Sequence, residues 1–262
     1  MSFTFYFGAT NGQTKGSIKR LEEPNVMLNY ASYTGEPWDA IQNLFIDSGG
    51  YSFIKGMGEY ETSHQDYLDW VANTDADLFA LRDYPCEPDV LEAHDRTVAE
   101  HQDMTTDAHR ELMDLYDDMP DFSQPVAVVQ GRSVQEYLEH VDALKDHGVL
   151  TEYIGIGSVC GRHAVKEIKP IVKAIDNATP SGTKIHGFGV KLPSLKEREI
   201  YDRLESADSM SYSYTARTDS RDRNIMCGFR QHALHYLEMR REVMTIEENH
   251  TINKQNTIAA YQ

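Results

Sequence analysis

Long apolar runs are missing from this sequence. No stretch of about 18 apolar residues occurs, so no transmembrane helix and no membrane partner is expected. Cysteine is scarce: Cys86, Cys160 and Cys227 are odd in number and far apart. That argues against a disulfide framework and fits a reducing compartment, so a cytoplasmic location is expected. Positive charge is also in short supply, with 25 Lys and Arg against 42 Asp and Glu and a net charge of -17. Such a balance excludes broad electrostatic binding of nucleic acid, which depends on cations neutralising phosphates. Any nucleic-acid contact then needs a local basic patch, and Arg217, Arg221, Arg223 and Arg230 make the best candidate. The same balance repels itself in dilute buffer and is tolerated where salt screens it. The expectation is a high-salt cytoplasm, that of a halophilic microbe or, for a virus, of its host. No G-x-G-x-x-G or P-loop follows the first strand pattern, which weakens a nucleotide-binding open sheet. The opening MSFTFYFGAT lacks a basic leader and is expected to be a strand, not a signal peptide.

What is present is a repeated alternation. The chain's 262 residues suit one (β/α)8 barrel. Short apolar runs recur at Phe3–Phe7, Asn25–Tyr30, Leu44–Asp47, Leu78–Asp83, Pro125–Gln130, Tyr153–Gly157, Lys184–Val190 and Asp208–Tyr214. Helical periods lie between them, the mark of βα units. Ser133 with Glu136, Ser194 with Glu197 and, more weakly, Ser63 with Asp66 have the spacing of capping boxes. Gly148 sits where a helix from Val134 to His147 should stop. A long acidic helix is expected from Asp89 to Asp118, and a last helix from Asp222 to Met244. The fold expected is α/β, a single-domain TIM barrel over residues 1–246, with a polar, loosely docked tail over 247–262.

The polar residues fall at the strand ends, where a barrel builds its active site. Leu44-Phe45-Ile46 ends in Asp47-Ser48-Gly49-Gly50, and the run from Leu78 ends in Asp83-Tyr84-Pro85. Val126–Val129 ends in Gln130-Gly131. Gly155 and Gly157 end the sixth run, Gly187 and Gly189 the seventh, and Asp208 opens the eighth. A carboxylate can attack an anomeric carbon while a second one moves the proton. A buried carboxylate beside a glutamine suits a purine edge with two N–H donors and one carbonyl. Glycines let backbone approach a flat ring. Each Asp taken alone is equally well a cap or turn residue.

These motifs, in this order, resemble the tRNA-guanine transglycosylase (queuine tRNA-ribosyltransferase) superfamily over residues 40–217. Asp47-Ser48-Gly49-Gly50-Tyr51 resembles its D-S-G-G-F segment, and Val129-Gln130-Gly131 its V-Q-G segment. Tyr153–Val159 and His186-Gly187-Phe188-Gly189-Val190 resemble its two glycine-bearing strand ends. The resemblance implies Asp208 as nucleophile and Asp47 as acid/base. It implies Asp83 and Gln130 on the base edge, with Ser48, Gly49, Gly155, Gly157, Gly187 and Gly189 beside them. Tyr51, Phe53 or Tyr212 would stack on a base.

Two departures matter. The family's zinc run C-x-C-x-x-C is missing; Cys227 with His232 or His235 offers too few ligands, so no zinc and no other cofactor is expected. The P-T-R segment after the nucleophile is replaced by Ser209–Arg217. Short, zinc-poor relatives resemble the DpdA-like DNA-guanine transglycosylases, so the partners implied are DNA in preference to tRNA and a 7-deazaguanine such as preQ0. A homodimer is left open, as are a glycoside hydrolase-type barrel and a non-catalytic binding subunit.

Overall fold

The computed structural model describes residues 3–10, 12–32, 36–119, 122–162 and 164–260. Eight strands run β1 Thr4–Ala9, β2 Asn25–Asn29, β3 Asn43–Asp47, β4 Leu78–Ala80, β5 Gln124–Val129, β6 Tyr153–Ile156, β7 Lys184–Gly187 and β8 Ser206–Ser209. All pair in parallel in chain order, and β8 closes on β1. The helices are α1 Gly12–Arg20, α2 Gly50–Met57, α3 His64–Ala72, α4 Pro88–Ala93, α5 Val98–Asp117, α6 Val134–Asp146, α7 Val165–Ala178, α8 Leu192–Leu195, α9 Arg198–Tyr201, α10 Ser211–Asp222 and α11 Phe229–Ala260. The chain is a TIM barrel. None of the described helices is long and apolar enough to cross a membrane.

The strand period of two separates two cores. Tyr6, Met27, Phe45, Leu78, Ala80, Val126, Val128 and Tyr153 pack together inside the barrel. Their neighbours in sequence, such as Phe5, Phe7, Leu28, Ile46, Phe79 and Ile154, join the larger core that the helices cover. Each such Leu, Ile or Phe contributes about 1.5–3 kcal/mol on full burial. The same alternation aims strand-end side chains into the barrel mouth. Asp47 follows Phe45 by two, Gln130 follows Val128 by two, and Asp208 follows Ser206 by two.

Helix starts follow local chemistry. Ser63 with Asp66 and Ser133 with Glu136 form complete capping boxes, and so does Thr97 with Glu100. Gly148 takes a left-handed φ of 72° just beyond α6. Three expectations are corrected. Ser194 is no cap: α8 starts at Leu192 after an extended Lys191, with Pro193 in its first turn, so Ser194 lies inside that helix and Glu197 instead precedes α9. The acidic region breaks into α4 and α5, with Asp95 at φ 49° between them. The last stretch is also different. Residues 211–214 begin α10 instead of extending β8, and α11 continues through the supposed tail to Ala260. Residues 261 and 262 lie outside the described residues. α11 packs along α1 and α10, and His250 Nε2 bonds the Leu195 carbonyl at 2.8 Å, which docks the far end of the helix.

Candidate active site

A cavity of about 740 Å3 opens at the C-terminal ends of the strands. Asp47, Asp83, Gln130, Gly157, Gly189, Asp208 and Arg217 all line it. Ser48, Gly49, Gly155 and Gly187 are not in its lining; they act from behind it.

The β3 end is built by a tight turn. Gly49 caps α2 at φ 80°, where a Cβ would lie 2.6 Å from that of Ala31. Its N–H donates to Asp47 Oδ1 at 3.1 Å. Gly50 leaves room for the next loop, since a Cβ there would meet the Asp83 carbonyl and Oδ1 at 2.8 Å. Asn29 stands in register with Asp47 on the neighbouring strand, and its Nδ2 donates to Asp47 Oδ2 at 2.5 Å. Burial pushes the Asp47 carboxyl up. The Gly49 and Asn29 hydrogen bonds oppose that, and the Asp208 charge adds to it.

β4 ends at Ala80, so Asp83 reaches the mouth from the loop beyond the strand. Ser48 Oγ donates to Asp83 Oδ1 at 3.1 Å, and Gln130 Nε2 donates to Oδ2 at 2.5 Å. Burial, then the neighbouring Asp47, pushes Asp83 up to about 7. Next to it, Arg82 is buried under the rings of Tyr30, Tyr60 and Tyr67 and binds the Thr62 carbonyl at 2.6 Å. It supports the loop and does not enter the cavity.

The Gln130 backbone is held by its neighbours. Its N–H donates to His140 Nδ1 at 2.8 Å, and its carbonyl accepts from Gln102 Nε2 at 2.7 Å. Its side chain fills the place a residue larger than glycine would take at position 157, where a Cβ would lie 2.4 Å from Nε2. Position 155 makes room in the same way for the Phe188 ring, 2.2 Å from where a Cβ would be. Phe188 lines the cavity.

Asp208 accepts from the Gly189 N–H at 2.8 Å and from His186 Nε2 at 3.2 Å, both on Oδ1. Among the described residues its Oδ2 has no hydrogen-bond partner. With Nε2–H donating, Nδ1 of His186 accepts from Ser206 Oγ at 2.7 Å, and that hydroxyl accepts from Tyr153 OH at 2.6 Å. Burial pushes the Tyr153 phenol up to about 12, which suits it as the donor that starts this relay.

The stacking candidates divide. Tyr51 is exposed and lines the cavity. Phe53 is buried against Ile54 and Val90, and Tyr212 is buried with its hydroxyl on the Gly8 carbonyl at 2.7 Å. Neither can stack on a ligand; Phe188 and Met27 line the cavity in their place. The basic patch divides too. Arg217 lines the cavity and the adjoining groove with Gln13 and His232. Arg221 instead pairs with Asp222 at 3.1 Å and Arg223 with Asp219 at 3.2 Å, away from the lining. Lys191 supplies the mouth with a second cation.

Glu87, Asn29, Ser158 and His186 were not singled out from the sequence. Asn29 was within reach, since it follows the inward Met27 by two. Glu87 was signalled by Pro88, which marks a helix start and makes Glu87 its N-cap. A zinc site does not fit. Cys227 Sγ lies 3.8 Å from His232 Nδ1, while His235 is engaged by Asp219 and Glu238. Among the described residues no group of three or more His, Cys, Asp or Glu side chains is placed to hold a metal.

A closed parallel barrel whose mouth gathers four carboxyls, a carboxamide and aromatic rings defines the chain as a TIM-barrel protein. The family described as DpdA, DeoxyPurine in DNA protein A, matches residues 30–259, and the chain belongs to it. No curated protein matches the chain.

Proposed function

We propose that this protein is a DNA-guanine transglycosylase, exchanging guanine in DNA for a 7-deazaguanine such as preQ0. The observation that carries this is the convergence of Asp47, Asp83, Gln130 and Asp208 on one cavity in a chain whose family is named for a deoxypurine in DNA. That name favours DNA over tRNA. The target nucleotide leaves the helix and enters the barrel mouth. Asp83, when ionised, accepts the two N–H groups of the guanine edge, and Gln130 Nε2 donates to its carbonyl. Phe188 and Tyr51 offer faces for the ring. Arg217 and Lys191 meet the phosphates at an otherwise acidic surface.

Asp208 Oδ2 attacks C1′ as the bond to N9 breaks, and Asp47 gives a proton to the departing guanine. The raised affinity of Asp47 for its proton supports its role as the acid. The 7-deazaguanine then enters, Asp47 takes its N9 proton, and N9 displaces Asp208 from C1′. Each cycle returns both carboxyls to their starting state. His186 and Gly189 hold Asp208 in line. Ser48 fixes Asp83, Gly49 fixes Asp47, and Gly155 and Gly187 shape the wall. Arg221 and Arg223 are left outside the site. No cofactor takes part in these steps.

The test is exchange of labelled guanine or preQ0 into DNA and into tRNA. Asp208→Asn is expected to lower exchange into DNA by about 10³-fold or more, and the wild type should yield a trapped protein–DNA adduct. Full activity in Asp208→Ala refutes the nucleophile. Exchange into tRNA alone refutes the DNA assignment.

A further inference from the structure

In the base-facing wall of the cavity, four side chains form a chain of three links. Ser158 Oγ lies 2.8 Å from Glu87 Oε2 and 2.5 Å from Gln130 Oε1. The other end of that carboxamide lies 2.5 Å from Asp83 Oδ2. Ser158 Oγ also accepts the Cys86 N–H at 2.7 Å, so its hydroxyl has one proton to give. Its position is fixed by a left-handed backbone, φ 54°. A carboxamide donates from one end only.

Three links therefore have two donors among Ser158 and Gln130, and the third proton must sit on a carboxyl. With one proton on the two carboxyls, two arrangements satisfy every link. With the proton on Glu87, Glu87 donates to Ser158, Ser158 donates to Gln130 Oε1, and Gln130 Nε2 donates to an ionised Asp83. With the proton on Asp83, every bond reverses: Asp83 donates to Gln130 Oε1, Nε2 donates to Ser158, and Ser158 donates to an ionised Glu87. Two ionised carboxyls leave one link unmade.

We infer that Glu87 and Asp83 hold one proton between them, and that Glu87 is the positioning residue that decides which end of the Gln130 carboxamide faces the base. The surroundings favour such sharing. Asp47 faces Asp83 across the mouth, and Asp89 lies beside Glu87 on its own turn. Cys160 Sγ faces Glu87 Oε1 at 3.5 Å. Burial raises both carboxyls, and two negative charges in this wall repel.

The consequence for recognition rests on the function proposed above. With the proton on Glu87, the wall offers a donor from Nε2 and an acceptor from Asp83, which match the carbonyl and N–H groups of a 6-oxopurine. With the proton on Asp83, the wall offers Oε1 and repels that carbonyl. Binding guanine to the second form requires the Gln130 carboxamide to turn over, Asp83 to lose its proton and Glu87 to gain one, with no net uptake or release.

Infrared spectra of the purified protein at neutral pH, with no base present, test the shared proton. Glu87→Gln supplies a permanent donor to Ser158, and Asp83→Asn a permanent donor to Gln130. Each is expected to remove the same one-carboxyl share of the protonated C=O band, and the double variant no more than either. A band left intact by Glu87→Gln, or losses that add in the double variant, overturns the inference. Kinetics test the positioning. In Glu87→Gln the pH at which KM for guanine begins to rise on acidification should move down by about one unit or more, the size of one hydrogen bond to a charged group. A residue that merely packs would raise KM alike at every pH, and that result overturns the positioning role. If the infrared result holds while the wild type exchanges no base, the shared proton stands and the transglycosylase assignment falls.

Discussion

Gly157→Ala should injure the cavity through Gln130 and through nothing else. The added methyl would lie 2.4 Å from Gln130 Nε2, 2.7 Å from Cδ and 2.8 Å from Oε1, so the whole carboxamide must move. β6 and β5 are paired here, with Gly157 N–H on the Val129 carbonyl at 3.0 Å, which prevents the backbone from absorbing the shift. Overpacking of this kind costs about 1–3 kcal/mol. Losing the hydrogen bond to an ionised Asp83 costs about 1.5–3 kcal/mol. Part of each cost falls on folding, so roughly 2 kcal/mol is expected to appear in base binding. That is about a 30-fold rise in KM for guanine, at 1.4 kcal/mol per tenfold. The assay is labelled-guanine exchange over a range of base concentrations, with Gly161→Ala as control because nothing lies within 4 Å of a Cβ there. Repeating the change in a Gln130→Ala background removes the side chain that the methyl displaces. Gly157→Ala should then add less than a twofold loss, about 0.4 kcal/mol. An unchanged KM in the single variant, or an equal loss in the Gln130→Ala background, refutes the assignment of Gly157 as space for Gln130.

Three further outcomes are expected. Asp83 must be ionised to accept two N–H groups, and its carboxyl is pushed up to about 7 by burial and Asp47. KM for guanine should therefore fall as pH rises through about 7, and a flat profile from pH 6 to 8 sinks that role. Stability should fall on the acid side of about pH 6.5, the ordinary histidine value. Burial holds His140 down at about 4 and His109 well below its usual range, so the unfolded chain binds protons there that the folded chain refuses. The window for His140 runs from about 6.5 to 4 and is worth about 3 kcal/mol. Denaturant unfolding at pH 7.5 and 5 reads it, and Asp83, whose raised carboxyl favours the folded state at low pH, works in the opposite direction. Finally, a net charge of -17 should make stability rise with salt. A melting temperature independent of salt from dilute buffer to molar concentration discards the high-salt origin.

The barrel was legible because its signals are local. Each strand shows a short apolar run, and Ser63 and Ser133 cap helices within three residues of themselves. The inward aim of Asp47, Gln130 and Asp208 follows from period two alone. The start of α10 was not legible, since Ser211, Tyr212, Ser213 and Thr215 have weak helix propensity and no apolar period. Tertiary packing on α11 makes it helical. The end of α11 was hidden for the same reason: its contacts are with Leu195 and α1, far along the chain. Glu87 illustrates the limit most clearly. It meets Ser158 across 71 positions of sequence, and only the pairing of both β4 and β6 with β5 brings their ends onto one wall. Glycines 155 and 157 mark the boundary between the two kinds of information. Their spacing announces that something must approach the strand end closely. The expectation was a ligand against bare backbone, yet the space is filled by Phe188 and Gln130. A missing side chain in a sequence thus reports room. What occupies the room is decided by residues that fold in from other strands, and here Phe188 and Gln130 line the cavity together with the Gly157 backbone.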